Sequence, residues 1–374
     1  MKRIGLNIML LALLLDSVVS CNSDRYSDGT SPVDLSAEGT ANCYIVSQAG
    51  DYSFPAVVGN SLEPVGNVAS AEVLWESFAS NVAPKAGDLV SDVSYKDGKV
   101  IFKASGRKGN AVIAAKDNGG TILWSWHIWL TDTPMEQVYA NNAGTMMDRN
   151  LGAISAVPGN SGSYGLLYQW GRKDPFLGSG GVLEYADDVQ KVAASSIEWP
   201  DFVPSDASKG TIEYAVANPT TYIMENDANR DWHYTGDDTV DKTRWQPTKT
   251  IYDPCPAGWV IPECGPDGIW GKALGTTEDW ENESNWDSVN FGIDFSKTDK
   301  TLGSEGPIWY PAAGLIYGDD GNFRGASEMG GYWSVSNSTR YYAVVFAFGI
   351  YGYMLPNIDA LRAYGCSVRC QKIK

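Results

Sequence analysis

The stretch Thr121-Ile122-Leu123-Trp124-Ser125-Trp126-His127-Ile128-Trp129-Leu130 alternates between two faces and carries no helical period. Successive side chains of an extended chain point to opposite sides, so Trp124, Trp126, Ile128 and Leu130 share one face. Leu123, Ser125, His127 and Trp129 share the other. This run is a strand. Its indoles suit either a sugar platform or a core, and an alternating stripe in a small β-module is read as core. His127, set between tryptophans, is read as a satisfied structural residue.

The turn Asp117-Asn118-Gly119-Gly120 joins this strand to an apolar run over 110–116. Further upstream, runs at 93–95 and 100–103 flank Lys96-Asp97-Gly98-Lys99, a strong hairpin signal. Residues 41–132 are therefore expected to form an immunoglobulin-like antiparallel β-sandwich.

Past Thr133 the character changes. Ten of the fourteen tryptophans lie beyond this point, amid Tyr, Gly and Asn, with few long periodic segments. Such a chain packs by irregular loops pinned by aromatics and disulfides. Weak helix signals fall at 268–274 and 278–286. Strands are expected at 331–335, 341–348 and 363–371, and a hairpin joins 314–317 to 323–325 through the turn at 318–322.

The N-terminus has three parts: Lys2 and Arg3, an apolar run over 4–15, and Val18-Val19-Ser20 leading into Cys21. The run is too short to span a ~30 Å hydrocarbon core with margin, which points to a cleaved signal over 1–20. Residues 21–40 are polar and read as a flexible tether. The chain carries a net charge of −17, and removal of Lys2, Arg3 and Asp16 takes it to −18. That acidity argues against nucleic acid as a partner, since such binding needs basic surface to displace counterions.

Of six cysteines, lipidation of Cys21 would leave Cys43, Cys255, Cys264, Cys366 and Cys370, an odd number. Export permits disulfides, and two bridges with one free thiol is the simplest partition. Only two histidines occur and neither falls in a ligand pattern, so no zinc site is expected.

Val18-Val19-Ser20-Cys21 resembles the lipobox of bacterial lipoproteins, which implies an acylated Cys21 and membrane attachment through that lipid. Five further blocks occur in order: Asp148-Arg149-Asn150-Leu151-Gly152-Ala153; Tyr164-Gly165-Leu166-Leu167-Tyr168-Gln169-Trp170-Gly171-Arg172; Asp253-Pro254-Cys255-Pro256-Ala257-Gly258-Trp259-Val260-Ile261-Pro262; Tyr332-Trp333-Ser334; and Ser367-Val368-Arg369-Cys370. This set resembles the Fibrobacter succinogenes major paralogous domain, widespread in surface lipoproteins of Bacteroidetes. Ala41-Asn42-Cys43-Tyr44-Ile45-Val46, with Trp124-Ser125-Trp126-His127, resembles the β-rich module that precedes it in fimbrillin-like proteins. The resemblance implies a C-type-lectin-like domain over 133–374, whose last strand returns to pair near its start. It also implies a Cys255–Cys370 bridge, which leaves Cys264 and Cys366 free to form a second one.

Asp148, Arg149 and Asn150 are read as a structural network rather than a catalytic carboxylate with an anion clamp, and Arg369 has the same status. The calcium-dependent lectin strings have only non-conforming counterparts here, Gln246-Pro247-Thr248 and Asn285-Trp286-Asp287. No cofactor is expected; calcium on acidic turns such as Asp237-Asp238 or Asp319-Asp320 stays open at low weight. Serine-elbow, zinc-protease and phosphate-loop motifs do not occur. Glu213, Glu225 and Asp231 amid tryptophans would suit a glycosidase, though any acidic protein holds such pairs. Trp199, Trp232, Trp245, Trp280 and Trp286 are candidate sugar-stacking residues, with a loop-core role as the alternative.

The expected whole is α+β but mostly β: a β-sandwich, then a loop-rich, disulfide-pinned C-type-lectin-like domain. The expected role is adhesion or binding of a glycan or surface-protein ligand, without catalysis, by an outer-membrane lipoprotein of the cell envelope. A carbohydrate-active enzyme and a structural fimbrial component are the alternatives.

Overall fold

The computed structural model describes residues 31–180, 192–199, 202–275, 282–283, 285–297 and 307–374. Of these, 38% are strand and 5% helix. Cys21 and the signal lie outside the described residues. Pro32–Lys374 is one compact unit.

Two four-stranded sheets occupy residues 33–130. One orders Val33–Asp34, Gly50–Pro55, Lys99–Ala104 and Val90–Lys96, and the other Cys43–Val46, Ile122–Leu130, Gly109–Lys116 and Ser70–Ser77. The 96–99 hairpin closes through Asp97 (φ 51°) and Gly98 (φ 79°). Two consecutive positive φ values give the turn whose twist matches paired strands. Between the sheets lies a shared core of Tyr44, Phe54, Phe102, Ile113, Trp126 and Ile128. Tyr44 stacks on Phe54 at 4.7 Å, and Trp126 meets Phe54 edge-on at 5.1 Å.

The strand Ile122–Leu130 follows the alternation expected of it, but both of its faces are buried. Trp124, Trp126, Ile128 and Leu130 point into the inter-sheet core. On the reverse face, Trp129 joins Cys43, Trp75 and Val112 in a second core shared with Met147, Leu151, Trp170 and Trp333. Residues on either side of position 132 thus share one apolar interior. The tether expected over 21–40 also ends earlier: Val33 and Asp34 pair in parallel with Tyr52 and Ser53, and Leu35 packs on the inter-sheet core.

Beyond Thr133, an eight-stranded sheet orders Asn282–Glu283, Tyr353–Leu361, Tyr342–Gly349, Met329–Asn337, Gly365–Ser367, Ala313–Ile316 and Phe323–Ala326, with Leu167–Gln169 beside Gly365–Ser367. The strand Tyr353–Leu361 forms although Pro356 and Asn357, both poor strand formers, lie within it. Conversely, the single strand expected over 363–371 is split. Gly365–Ser367 stays in the large sheet, whereas Gln371–Lys372 joins a small one with Trp259–Val260, Gly144–Met147 and Glu136–Tyr139. The chain end therefore pairs with residue 146, and the Met147 and Leu151 amides donate to the carbonyls of Cys370 and Val368. Ile269–Leu274 is helical, with Gly275 (φ 65°) ending it in the left-handed region that glycine adopts without strain. The helix expected over 278–286 is not formed where it is described: Asn282–Glu283 and Trp286–Asp287 are short strands, and the rest lies outside the described residues.

Cys255 and Cys370 are bridged across 115 residues. The second bridge is absent: Cys264 and Cys366 are free thiols. Both border the strand Met329–Asn337, but at different points. The Cys264 amide donates to Ser336 Oγ, while Ser367, next to Cys366, pairs with Tyr332. Four residues at ~3.3 Å each separate those points, beyond the Cα spacing a disulfide allows.

Closing so long a loop restricts the unfolded chain by about 5 kcal/mol. Cys255→Ala/Cys370→Ala is expected to lose up to that amount in urea unfolding, and Cys264→Ala/Cys366→Ala less than half of it.

Candidate functional site

The motif residues near the domain start are buried and committed to one another. Arg149 clasps Asp148 through Nε (2.9 Å) and Nη2 (3.0 Å) and reaches Asp132 at 3.1 Å. Asn150 donates to the Tyr164 carbonyl and to the Tyr332 hydroxyl, and its Oδ1 accepts from Arg369 Nη2 at 2.9 Å. Arg369 also donates to the Trp309 carbonyl and lies 3.8 Å from the Tyr310 ring. Each of these residues is hydrogen-bonded to protein partners, although Arg369 Nη1 is buried without one.

The tryptophan-rich loops are held the same way. Arg244 pairs with Asp231, both side chains fully buried. Its guanidinium sits 4.8 Å from the Trp232 ring and 5.0 Å from the Trp170 ring. Arg172 lies over the Trp232 ring at 5.5 Å and Arg362 over the Trp170 ring at 5.4 Å. The result is an alternating stack of three guanidiniums and two indoles. Arg172 donates to the Thr221 carbonyl at 2.8 Å, and Arg362 to the carbonyls of Arg340 (2.9 Å) and Tyr342 (2.8 Å). Burial lowers the Arg172 and Arg362 pKa values to about 10, still protonated at neutral pH.

These contacts correct the sugar-stacking assignment of Trp232 and Trp245, which are both 0% exposed. An indole with no exposed face cannot stack on a ligand. Trp199 is half-buried edge-on against Trp75, and Trp286 is half-buried. Trp280 lies outside the described residues. Of the carboxylates singled out for hydrolysis, Asp231 is held by Arg244, Glu225 pairs with Arg230 at 2.7 Å, and Glu213 lies in the first turn of the helix Ile212–Ala217. Among the described residues, no three His, Cys, Asp or Glu side chains converge to hold a metal ion.

One of several open concavities among the described residues lies on the large sheet, in residues the sequence did not mark; a larger one, of about 490 Å³, is lined by polar and charged residues such as Lys249, Glu263 and Lys372. In the strand Met329–Asn337, Trp333 and Val335 fill the core, but the same face ends in Gly331. Gly331 pairs with Ala347, which pairs in turn with Leu355. A side chain on Gly331 would come within 2.8 Å of Leu315 Cδ2 and 3.7 Å of Cys366 Sγ. Two small residues in register let the face drop into a groove of about 370 Å³. Leu315, Met329, Tyr353, Leu355, Ile358 and Tyr364 wall it, and Asp359 stands at its rim. Tyr317 packs on Tyr364 at 5.1 Å, and Tyr351 projects 86% exposed nearby. Burial pushes the Tyr364 hydroxyl up to about 12, so it stays a neutral donor. The available signal was Gly330-Gly331 inside a strand pattern, which marks a gap in side-chain packing.

No protein-family model, curated protein or solved structure matches the chain.

His127 is buried, with Nε2 2.9 Å from Asn110 Oδ1, and burial lowers its pKa to about 3. Its unfolded pKa is about 6.5. Between those values the unfolded chain binds a proton that the folded one refuses, so stability falls as pH drops from 6.5 toward 3. The slope is ~1.4 kcal/mol per pH unit for that proton. His127→Gln, compared with the native chain by urea unfolding at pH 7, 6 and 5, is expected to remove this share of the pH dependence.

Proposed function

We propose that the chain is a cell-envelope lipoprotein, held by lipid on Cys21, that binds a ligand in the tyrosine-walled groove of its large sheet and performs no catalysis. The groove is the observation that carries this reading. Half-exposed tyrosines beside an apolar floor offer ring faces and hydroxyl donors together, the combination used by sites for glycans and for surface proteins. We read the first two sheets as a β-sandwich and the remainder as a C-type-lectin-like domain. The shared inter-sheet core supports the first assignment, and the return of the chain end to residue 146 supports the second. The carbohydrate-active alternative has less support, because Asp231 and Glu225 are already held in ion pairs.

Binding of the detergent-solubilised protein to a glycan array and to a panel of extracellular-matrix proteins tests the reading. Tyr353→Ala and Tyr364→Ala are each expected to weaken the strongest ligand about tenfold, one aromatic contact being worth ~1.4 kcal/mol. Binding that survives both changes would place the ligand elsewhere.

A further inference from the structure

An open sheet leaves its outermost strands half-paired, and one of them here opens onto a cavity. The strand Cys43–Val46 is the last of its sheet, and among the described residues its one ladder partner is Ile122–Leu130. The pairing is parallel, with Cys43 opposite His127 and Ile45 opposite Trp129. The His127 amide donates to the Asn42 carbonyl at 2.8 Å, and the Thr131 amide to that of Val46 at 3.0 Å. Along an extended chain, backbone groups turn to alternate sides residue by residue. Residues 42, 44 and 46 therefore face Ile122–Leu130, and Cys43 and Ile45 turn their N–H and C=O groups outward. Among the described residues, no hydrogen bond reaches those outward groups.

A cavity of about 360 Å³ touches Cys43, Tyr44 and Ile45 in succession. Cys43 and Ile45 pack their side chains on one core and Tyr44 on the other, so a space meeting all three runs along the strand's outer edge. Leu35 and Ala37 help to wall it, with Pro256, Ala257 and Trp259 from the turn beside the disulfide. It shares no lining residue with the tyrosine-walled groove and does not rest on it.

Outward amides and carbonyls in alternation are complementary to a second extended backbone, which is why an unpaired edge is a template for another strand. The chain's own segment 22–31 suits the place poorly. It offers Tyr26 to the apolar walls but carries Asn22, Asp24, Asp28 and Gly29, residue types depleted in strands. A second copy would bring the same edge, recessed behind the same walls. We infer that the Cys43–Val46 edge takes one further strand, an extended, proline-free segment of a partner protein with apolar side chains at alternate positions.

The test uses the full, detergent-solubilised chain and four fluorescent peptides, acetyl-Ser-X-Thr-X-Thr-X-Ser, with X alanine, valine, isoleucine or phenylalanine. At least one is expected to bind. N-methylation of one alternate set of its amides should weaken it about tenfold and of the other set hardly at all, since the incoming strand is bonded along one edge. Ile45→Pro removes an outward donor without touching the bonds to Ile122–Leu130, and should also cost about tenfold. Ala37→Trp, which narrows the cavity and leaves the strand intact, should do the same, whereas Tyr353→Ala should not. In single-residue hydrogen exchange of the free protein, the Ile45 amide is expected to exchange about 100-fold faster than that of Tyr44, and to slow when the peptide binds. Failure of all four peptides, equal effects of the two methylated sets, or an Ile45 amide as protected as that of Tyr44 would each overturn the inference. Self-association abolished by Ala37→Trp, in place of peptide binding, would make the occupant a second copy and overturn the partner strand.

Discussion

Buried cations stacked on indoles are the interaction on which the loop-rich half depends. Helices and strands satisfy their own backbone groups, but an irregular chain must find partners for each buried carbonyl. Here Arg172, Arg244 and Arg362 supply them, each with several donors in a fixed fork. Trp170 and Trp232 separate the guanidiniums and spread their charge over ring faces, and Asp231 provides the carboxylate at the centre. Lys249 does the same for the turn around the disulfide, donating to Asp253 Oδ1 and to the Cys255 and Trp259 carbonyls. Trp232 and Trp245, two of the tryptophans that invite a lectin reading in the sequence, are thus packing material of this scaffold.

The same logic explains why the two halves form one unit. The reverse face of Ile122–Leu130 carries Ser125, His127 and Trp129. Ser125 and Trp129 are matched from outside the sheet, whereas His127, expected to be satisfied, meets Asn110 through Nε2 but keeps Nδ1 buried without a partner. Ser125 Oγ donates to Asp174, which also pairs with the buried Lys173, and Trp129 Nε1 donates to the Ala153 carbonyl. Asn42 donates to the carbonyls of Ile251 and Asp253, tying the first sheets to the segment that carries Cys255. Separating the halves would strand these polar groups and the apolar surface around them, at a cost of roughly 1–3 kcal/mol for each unpaired group.

Local signals were legible in the sequence, and long-range ones were not. Asp97-Gly98 and Asp117-Asn118-Gly119-Gly120 specify their turns by backbone preference alone, so both hairpins follow from a few residues. The burial of Trp170 and Trp232 depends on which guanidiniums arrive from Arg172, Arg244 and Arg362, separated by up to 190 positions along the chain. No spacing encodes that. The groove was hidden for a related reason: its depth comes from Gly331 lying in register with Ala347, a cross-strand fact. Its tyrosines carry no compositional cue of their own in a chain with 20 of them. Cys264 and Cys366 look pairable by count, yet their positions along one strand keep them apart.

Hydrogen exchange of Arg244→Met measures the dependence on the buried stack most directly. Removing the guanidinium leaves Asp231 buried without its cation, a loss of ~3 kcal/mol or more. The account predicts that amides over 203–253 exchange ~100-fold faster, while those of the hairpin Gly109–Lys116 and Ile122–Leu130 keep their protection. Unchanged protection across 203–253 would contradict it, since the loops would then hold without the cation at their centre.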